Sequence, residues 1–376
     1  MTAGADIAFR AAHAEGGGWG NLVKSCLERL MPLPDGANLG FLYATDALAG
    51  DLTSILTFLR ERTRIANWVG SVGMGICATG VETFGEPGLA VMVAALPPEA
   101  FQVFAPVAGD LDRFDQETKD WIARHHPVLG VVHGDPRQPE LTETIAALTA
   151  RSSAFLVGGL SSAQTALLQI AGRVVDGGIS GVLLAPEIAV AAGLSQGCSP
   201  IGPVRHVSEA DGNVILGIDG RPALDIFKED IGELLSRDLR RIAGLIFAGF
   251  PIAGSDTGDY LVRNLVAIDV ENRCLAVAHE VAAGDPVLFC RRDTPSAVTD
   301  LRRMLDKLKQ RAGGSPRGGL YFSCVGRGRN LFGADSEELG LIREVLGDFP
   351  LVGFFGNGEI SNDRLYGYTG VLTLFL

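Results

Sequence analysis

Two polar clusters near the C-terminus carry residue types that bind small charged molecules. Cys324-Val325-Gly326-Arg327-Gly328-Arg329 follows the apolar run 320–322, and Gly356-Asn357-Gly358-Glu359 follows the apolar run 349–355. Arg327 and Arg329 stand two apart across a glycine. That spacing offers a fork of guanidinium donors to a carboxylate or phosphate, and Gly326 and Gly328 let backbone N–H groups approach it. Glu359 follows a strongly apolar strand, so its carboxylate needs a partner: a ligand ammonium group or one of the two arginines. Asn357 is placed to orient a ligand, and arginine with glutamate suits a zwitterion such as an amino acid. Cys324 lies where strand becomes loop, beside cationic neighbours that lower a thiol pKa; a small buried core cysteine is the other reading. Cys198, between Gly197 and Ser199, has the same two readings, and a Cys198–His206 nucleophile pair requires the two to meet in space.

The elements that must position these residues form a pattern. Helical spacing over 336–346 (Leu339, Ile342, Val345, Leu346) separates the two apolar runs, which predicts a strand–helix–strand unit with polar groups at the strand C-termini. The same pattern occurs twice earlier. Run 39–43, a helix over 51–62 and Val69-Gly70 form one copy; run 128–132, a helix over 140–149 and Val157-Gly158-Gly159 form another. The intervals between copies are unequal, which predicts repeated β-α-β-Gly units rather than a solenoid. Segments 178–184 and 204–217 read as antiparallel strands, 222–235 and 297–310 as helices, and 245–250, 260–268, 274–279 and 287–291 as strands, the last three an antiparallel meander. Segment 110–124 reads as an exposed helix or long loop, and 312–317 as the best internal linker. The expected fold class is α/β and α+β.

The 376 residues, 47% hydrophobic and 20% charged, describe a globular protein long enough for two domains. A net charge of −12 without any basic run argues against nucleic acid and anionic membranes as partners. The six cysteines are dispersed with no Cys-x-x-Cys, which predicts neither a disulfide framework nor a structural zinc and fits a reducing compartment. No leader and no apolar run of about 20 residues is present, so a cytoplasmic location is expected. No two histidines have metal-binding spacing on one helix face. His133, or His125-His126, is the candidate axial ligand if haem is bound. Gly73-Met74-Gly75-Ile76-Cys77-Ala78 formally fits a dinucleotide fingerprint, but residues 79–87 make a poor helix.

Several stretches in order resemble one family. They are Ser195-Gln196-Gly197-Cys198-Ser199-Pro200-Ile201-Gly202-Pro203, Gly220-Arg221-Pro222-Ala223-Leu224, Tyr260-Leu261-Val262-Arg263-Asn264-Leu265-Val266-Ala267-Ile268-Asp269, Gly284-Asp285-Pro286-Val287, and the two C-terminal polar clusters. The chain resembles FIST-domain proteins, with a FIST N-like domain at 1–217 and a FIST C-like domain at 218–376. The resemblance implies a sensory or ligand-binding module, with an amino-acid-like ligand. Some relatives are haem-containing nitric oxide sensors, and some eukaryotic relatives carry an F-box and act as adaptors. Residues 1–37 cannot hold an F-box, and no output domain has room, so signalling through a separately encoded partner is expected. The expected ligand site is Cys324, Arg327, Gly328, Arg329, Asn357 and Glu359, with Cys198, Arg263 and Asn264 as secondary candidates. A haem-based gas sensor, a protein-interaction adaptor and a cysteine-dependent enzyme are the alternatives; no constellation points convincingly to catalysis.

Overall fold

The computed structural model describes residues 7–236, 239–242, 244–252 and 260–376. Contacts divide the chain into two compact units: the chain up to Ser195 together with Leu301–Leu376, and Gln196–Asp300. The division expected at 217/218 is one of sequence, and the smaller contact unit draws on residues from both sides of it.

The larger unit repeats one order of elements three times: strand, helix, strand, helix, strand, hairpin, strand. The first repeat runs Ala8–Glu15, Trp19–Leu30, Leu39–Thr45, Leu52–Thr63, Asn67–Gly73, the hairpin Gly75–Ala78 and Val81–Phe84, then Gly88–Ala95. The second runs Phe101–Val107, Asp112–His125, Leu129–Gly134, Leu141–Ser152, Phe155–Leu160, the hairpin Leu168–Ala171 and Val174–Asp176, then Ile179–Leu184. The third opens with Val190–Gln196 and resumes after the smaller unit with Thr294–Ala312, Gly318–Cys324, Glu337–Leu346, Leu351–Gly356, the hairpin Glu359–Ser361 and Arg364–Tyr366, and Thr369–Phe375. The strand–helix–strand recurrence expected from sequence is the middle of each repeat.

Within a repeat the second and third strands pair in parallel, and the last strand lies antiparallel beside the second. The hairpin leaves its own repeat. That of the first pairs with Leu351–Gly356 of the third, that of the third with Phe155–Leu160 of the second, and that of the second with Asn67–Gly73 of the first. Three six-stranded sheets result, each completed by another repeat. The Val-Gly pairs have a steric cause: a Cβ on Gly70, Gly158 or Gly353 would overlap the carbonyl oxygen of Leu42, Val132 or Tyr321 on the parallel neighbour. Tyr43, His133 and Phe322 hold the same place in the three equivalent strands and meet in the core. Ring centroids lie 5.5 Å apart for Tyr43–His133, 6.1 Å for Tyr43–Phe322 and 6.0 Å for His133–Phe322.

The smaller unit is a closed antiparallel barrel. Pro286–Arg292, Arg205–Asp211, Val214–Ile218, Cys274–Val277, Tyr260–Asp269 and Ile246–Pro251 pair in that order, and the last returns to the first. The expected meander is therefore part of a ring, in which each of the six described strands has a neighbour on both sides. Helix Ala223–Ser236 covers it, with Phe227 against Phe289 at 4.8 Å. Two other expectations change. Segment 110–124 forms the amphipathic helix Asp112–His125, which buries Phe114, Thr118 and Trp121. Segment 312–317 joins a helix to a strand inside the larger unit and separates no domains. No helix among the described residues is long and apolar enough to cross a membrane.

Gly340 in helix Glu337–Leu346 has open space where a Cβ would stand. Gly340→Ala should stabilise the protein by up to about 1 kcal/mol, whereas Gly353→Ala should destabilise it by about 3 kcal/mol or more. Urea unfolding of the two variants side by side measures this. Equal midpoints would refute the steric account of the repeated glycine.

Candidate functional site

Strand Gly318–Cys324 ends in a tight turn in which the Arg327 N–H donates to the Cys324 carbonyl at 2.8 Å. The turn folds Arg327 inward, and its side chain is fully buried. Its Nε and Nη2 both lie 2.7 Å from Glu338 Oε1, and its guanidinium sits 5.0 Å from the Phe332 ring centre. Glu338 also accepts from Tyr321 Oη at 2.6 Å, from Ser323 Oγ at 3.2 Å and from the Gly328 N–H at 2.7 Å. It stands in the first turn of helix Glu337–Leu346, where the helix dipole favours a carboxylate. Burial pulls the Arg327 pKa down, but Glu338 and Tyr321 outweigh it and hold the guanidinium above its ordinary value. Arg327 thus belongs to a satisfied internal pair. Its partner is Glu338, not the expected Glu359, and it offers no exposed donor to a ligand.

Glu359 is buried as well. Its Oε2 accepts the Thr369 N–H at 3.1 Å and the Thr369 hydroxyl at 2.8 Å, and its Oε1 has no partner among the described residues. Burial pushes its carboxyl up to about 8, so at neutral pH it is a neutral acid and a poor match for an ammonium group. The Cys324 thiol is pushed up to about 12, by burial and then by Glu359, so it is protonated rather than activated. Asn357 is exposed, and its backbone N–H donates to the Leu160 carbonyl at 2.9 Å. In the smaller unit, Cys198 is buried on the strand that pairs with Pro286–Arg292, while His206 is exposed on strand Arg205–Asp211. Arg263 and Asn264 lie on Tyr260–Asp269 of the barrel. Arg263 Nη1 donates to the Val262 carbonyl at 3.0 Å, and Asn264 borders an apolar groove of about 320 Å³ with Phe247 and Leu265.

His133, the first candidate axial ligand, does not fit a haem. His133 is fully buried, with Nε2 3.1 Å from Tyr43 Oη and its ring against Phe322 and Phe354. Its Nδ1 has no partner among the described residues, but packed rings close the space an iron would need. His125 stacks on Trp121 at 4.9 Å, and His126 is exposed in the left-handed position that ends its helix.

What remains open is Arg329. It is exposed on the short turn Gly328–Asn330, 5.5 Å from the centre of the Phe84 ring, and Phe84 rests on Phe355 at 4.4 Å. Arg329 and Asn330 form one wall of a cleft of about 560 Å³. Asp46, just beyond strand Leu39–Thr45, and Glu86, just beyond the first hairpin, bring carboxylates to the same cleft. Met74 and Phe84 bring apolar surface, and Gln164 comes from the second repeat. Asp46 Oδ1 is braced by the Thr165 N–H at 3.1 Å and the Thr165 hydroxyl at 2.6 Å. All three repeats therefore meet at this cleft, at the C-terminal ends of parallel strands, where open α/β sheets bind ligands. Among the expected residues only Arg329 lines it. Asp46, Glu86, Phe84 and Gln164 were not expected; the one signal for them was that Asp46 follows a strand end.

The buried His133 and Glu359 and the half-buried Glu82 contribute the large shifts to the pH dependence of the larger unit. Burial pushes His133 down to about 3, from 6.5, while Glu359 and Glu82 are pushed up to about 8, from 4.5. An unfolded imidazole takes a proton below 6.5 that the folded one refuses, so stability falls as pH drops from 6.5 toward 3. The carboxyls act oppositely: their contribution is complete below 4.5 and is lost as pH rises through about 8. Urea midpoints measured against pH should peak in mild acid, and Glu359→Gln should flatten the alkaline decline. At neutral pH Arg327→Met should cost about 3–5 kcal/mol by leaving Glu338 buried without its partner, whereas Arg329→Ala should cost less than about 0.5 kcal/mol.

Comparison with known proteins agrees with this architecture. Residues 38–221 match the FIST N domain and residues 223–362 match the FIST C domain. An uncharacterized protein of Mycobacterium tuberculosis is 31% identical over 357 residues, spanning 90% of this chain and 91% of its own. One from Mycobacterium bovis is 32% identical over 355 residues, spanning 90% and 89%. FIST domains are generally sensory domains of signal-transduction proteins. The two matched segments meet inside the barrel, and their hairpins cross between each other's sheets. The chain belongs to the FIST family, carrying a FIST N domain followed in tandem by a FIST C domain.

Proposed function

We propose that the protein is a sensory module that binds a small zwitterionic ligand of amino-acid type in the cleft beside Arg329. The observation that carries this reading is the exposed Arg329, which makes no ion pair among the described residues and shares a cleft with two carboxylates and an aromatic ring. A ligand carboxylate would take the Arg329 fork, and its ammonium group would take Asp46 or Glu86. Phe84 and Met74 would cover an apolar side chain, while Asn330 and Gln164 would fix its orientation.

Binding is favoured over catalysis because the candidate nucleophile Cys324 is buried and protonated. The signal would pass to a separately encoded protein partner, and nucleic acid is disfavoured by the net charge of −12. Six unpaired cysteines suit a reducing cytoplasm.

Thermal shift with a panel of common amino acids tests the reading. A binder at 100 times its Kd adds about 2.7 kcal/mol to the wild type and should add nothing to Arg329→Ala. A shift that survives in Arg329→Ala would remove the ligand from this cleft.

A further inference from the structure

The turn that carries Arg329 is seated on the first repeat's hairpin, and two side chains on one face of a single strand make the seat. Phe84 lies beneath the Arg329 guanidinium. Two residues earlier on the same face, Glu82 lies beneath the turn's backbone. The backbone N–H groups of Leu339 and Arg329 both point at its carboxyl, the former 3.4 Å from Oε1. Its Oε2 is buried and has no hydrogen-bond partner among the described residues. Gly328 has φ +50°, and a Cβ there would come within 2.7 Å of that oxygen, so backbone conformation and close approach both require glycine. The strand is pinned in turn: the Glu82 N–H donates to Ser336 Oγ at 2.9 Å.

The charges around Glu82 oppose its ionisation. Burial comes first, then Glu338, with Glu337 of the same helix adding to it; together they push the carboxyl up to about 8 despite the two N–H groups. Arg327, a buried cation in the same loop as Arg329, is already paired with Glu338. Cys77, its partner across the hairpin, is a buried thiol held protonated. Arg343 lies beyond the hairpin bend, near Gly80. Arg329 turns its guanidinium to the cleft.

We propose that Glu82 is the positioning residue of the cleft: as a neutral acid it seats the Arg329 turn on the hairpin, and its ionisation loosens that seat. The importance of this for binding rests on the cleft being the ligand site, but the seat itself is open to test without any ligand. Loss of the proton places a second negative charge beside Glu338 and leaves Oε2 charged against Gly328. The strain is relieved by admitting water or shifting the three-residue turn. An anionic ligand group on Arg329 adds charge of the same sign, so affinity falls as pH rises through about 8, and binding takes up a proton by reciprocity.

Amide shifts of Arg329 and Leu339, followed by NMR from about pH 6 to about pH 10, test the seat. Both should inflect near 8 in the wild type. The inflection should persist in Arg329→Ala, which keeps the backbone N–H, and vanish in Glu82→Gln, which keeps the shape of the neutral acid. Glycine serves as the zwitterionic probe. Its affinity should decline as pH rises through about 8, tenfold for each unit by which binding shifts Glu82, and should be flat in Glu82→Gln up to about pH 9, below the titration of glycine's own ammonium. An Arg329 amide that does not titrate, or that titrates unchanged in Glu82→Gln, overturns the proposal. A Glu82-dependent inflection with no amino acid binding at all would uphold the seat and defeat the ligand reading, so the two failures are distinct.

Discussion

No sheet of the larger unit is complete until a hairpin arrives from another repeat. Each hairpin lies beside the third strand of a repeat other than its own, and the exchange runs in a closed cycle. The crossings are locked by short polar contacts. Ser161 Oγ donates to the Val72 carbonyl at 2.6 Å, Ser162 Oγ donates to the Phe355 carbonyl at 2.5 Å, and the Leu160 N–H donates to the Gly358 carbonyl at 2.9 Å. Behind them Tyr43, His133 and Phe322 fill the shared centre. Removing any one repeat would leave another sheet with an open edge, an unfavourable state in water. The repeats are thus one cooperative body, even though family matching divides the chain into two segments.

The same exchange builds the cleft. The first repeat's hairpin carries Glu82 and Phe84 to the third repeat's turn and brings Glu86 to the cleft's rim. The two arginines of that turn then meet opposite environments. Arg327 is withdrawn from water, which is tolerable because Glu338 accepts from it and because Tyr321, Ser323 and the Gly328 N–H satisfy the carboxylate's remaining oxygen lone pairs. Arg329 stays solvated over an aromatic face, an arrangement that holds a cation in place without neutralising it. Burial of one arginine fixes the turn, and exposure of the other equips it to meet an anion.

Glu338, Glu82 and Glu359 show how burial alone fails to predict charge state. Glu338 is saturated with donors and balanced by a guanidinium. Glu82 and Glu359 each keep one oxygen without a partner among the described residues, and desolvation makes both reluctant to ionise. The pH response of the fold and the seat beneath Arg329 both come from that difference in partners.

By itself the sequence determined the repeated strand–helix–strand units, the glycines after Val69, Val157 and Val352, the family, and the placing of polar groups at strand ends. These are local signals: periodicity, a side chain too small to replace, and contiguous motifs. Tertiary structure alone decided the exchange of hairpins, the closing of the barrel, and which arginine faces water. Each of these depends on pairing between residues far apart in the chain, as Cys77 with Gly353. Short four-residue strands carry too little pattern to name a partner. Nor could spacing show that Arg327 turns toward Glu338 and Arg329 away from it, because a turn, unlike a strand or helix, has no fixed period to assign its side chains to faces.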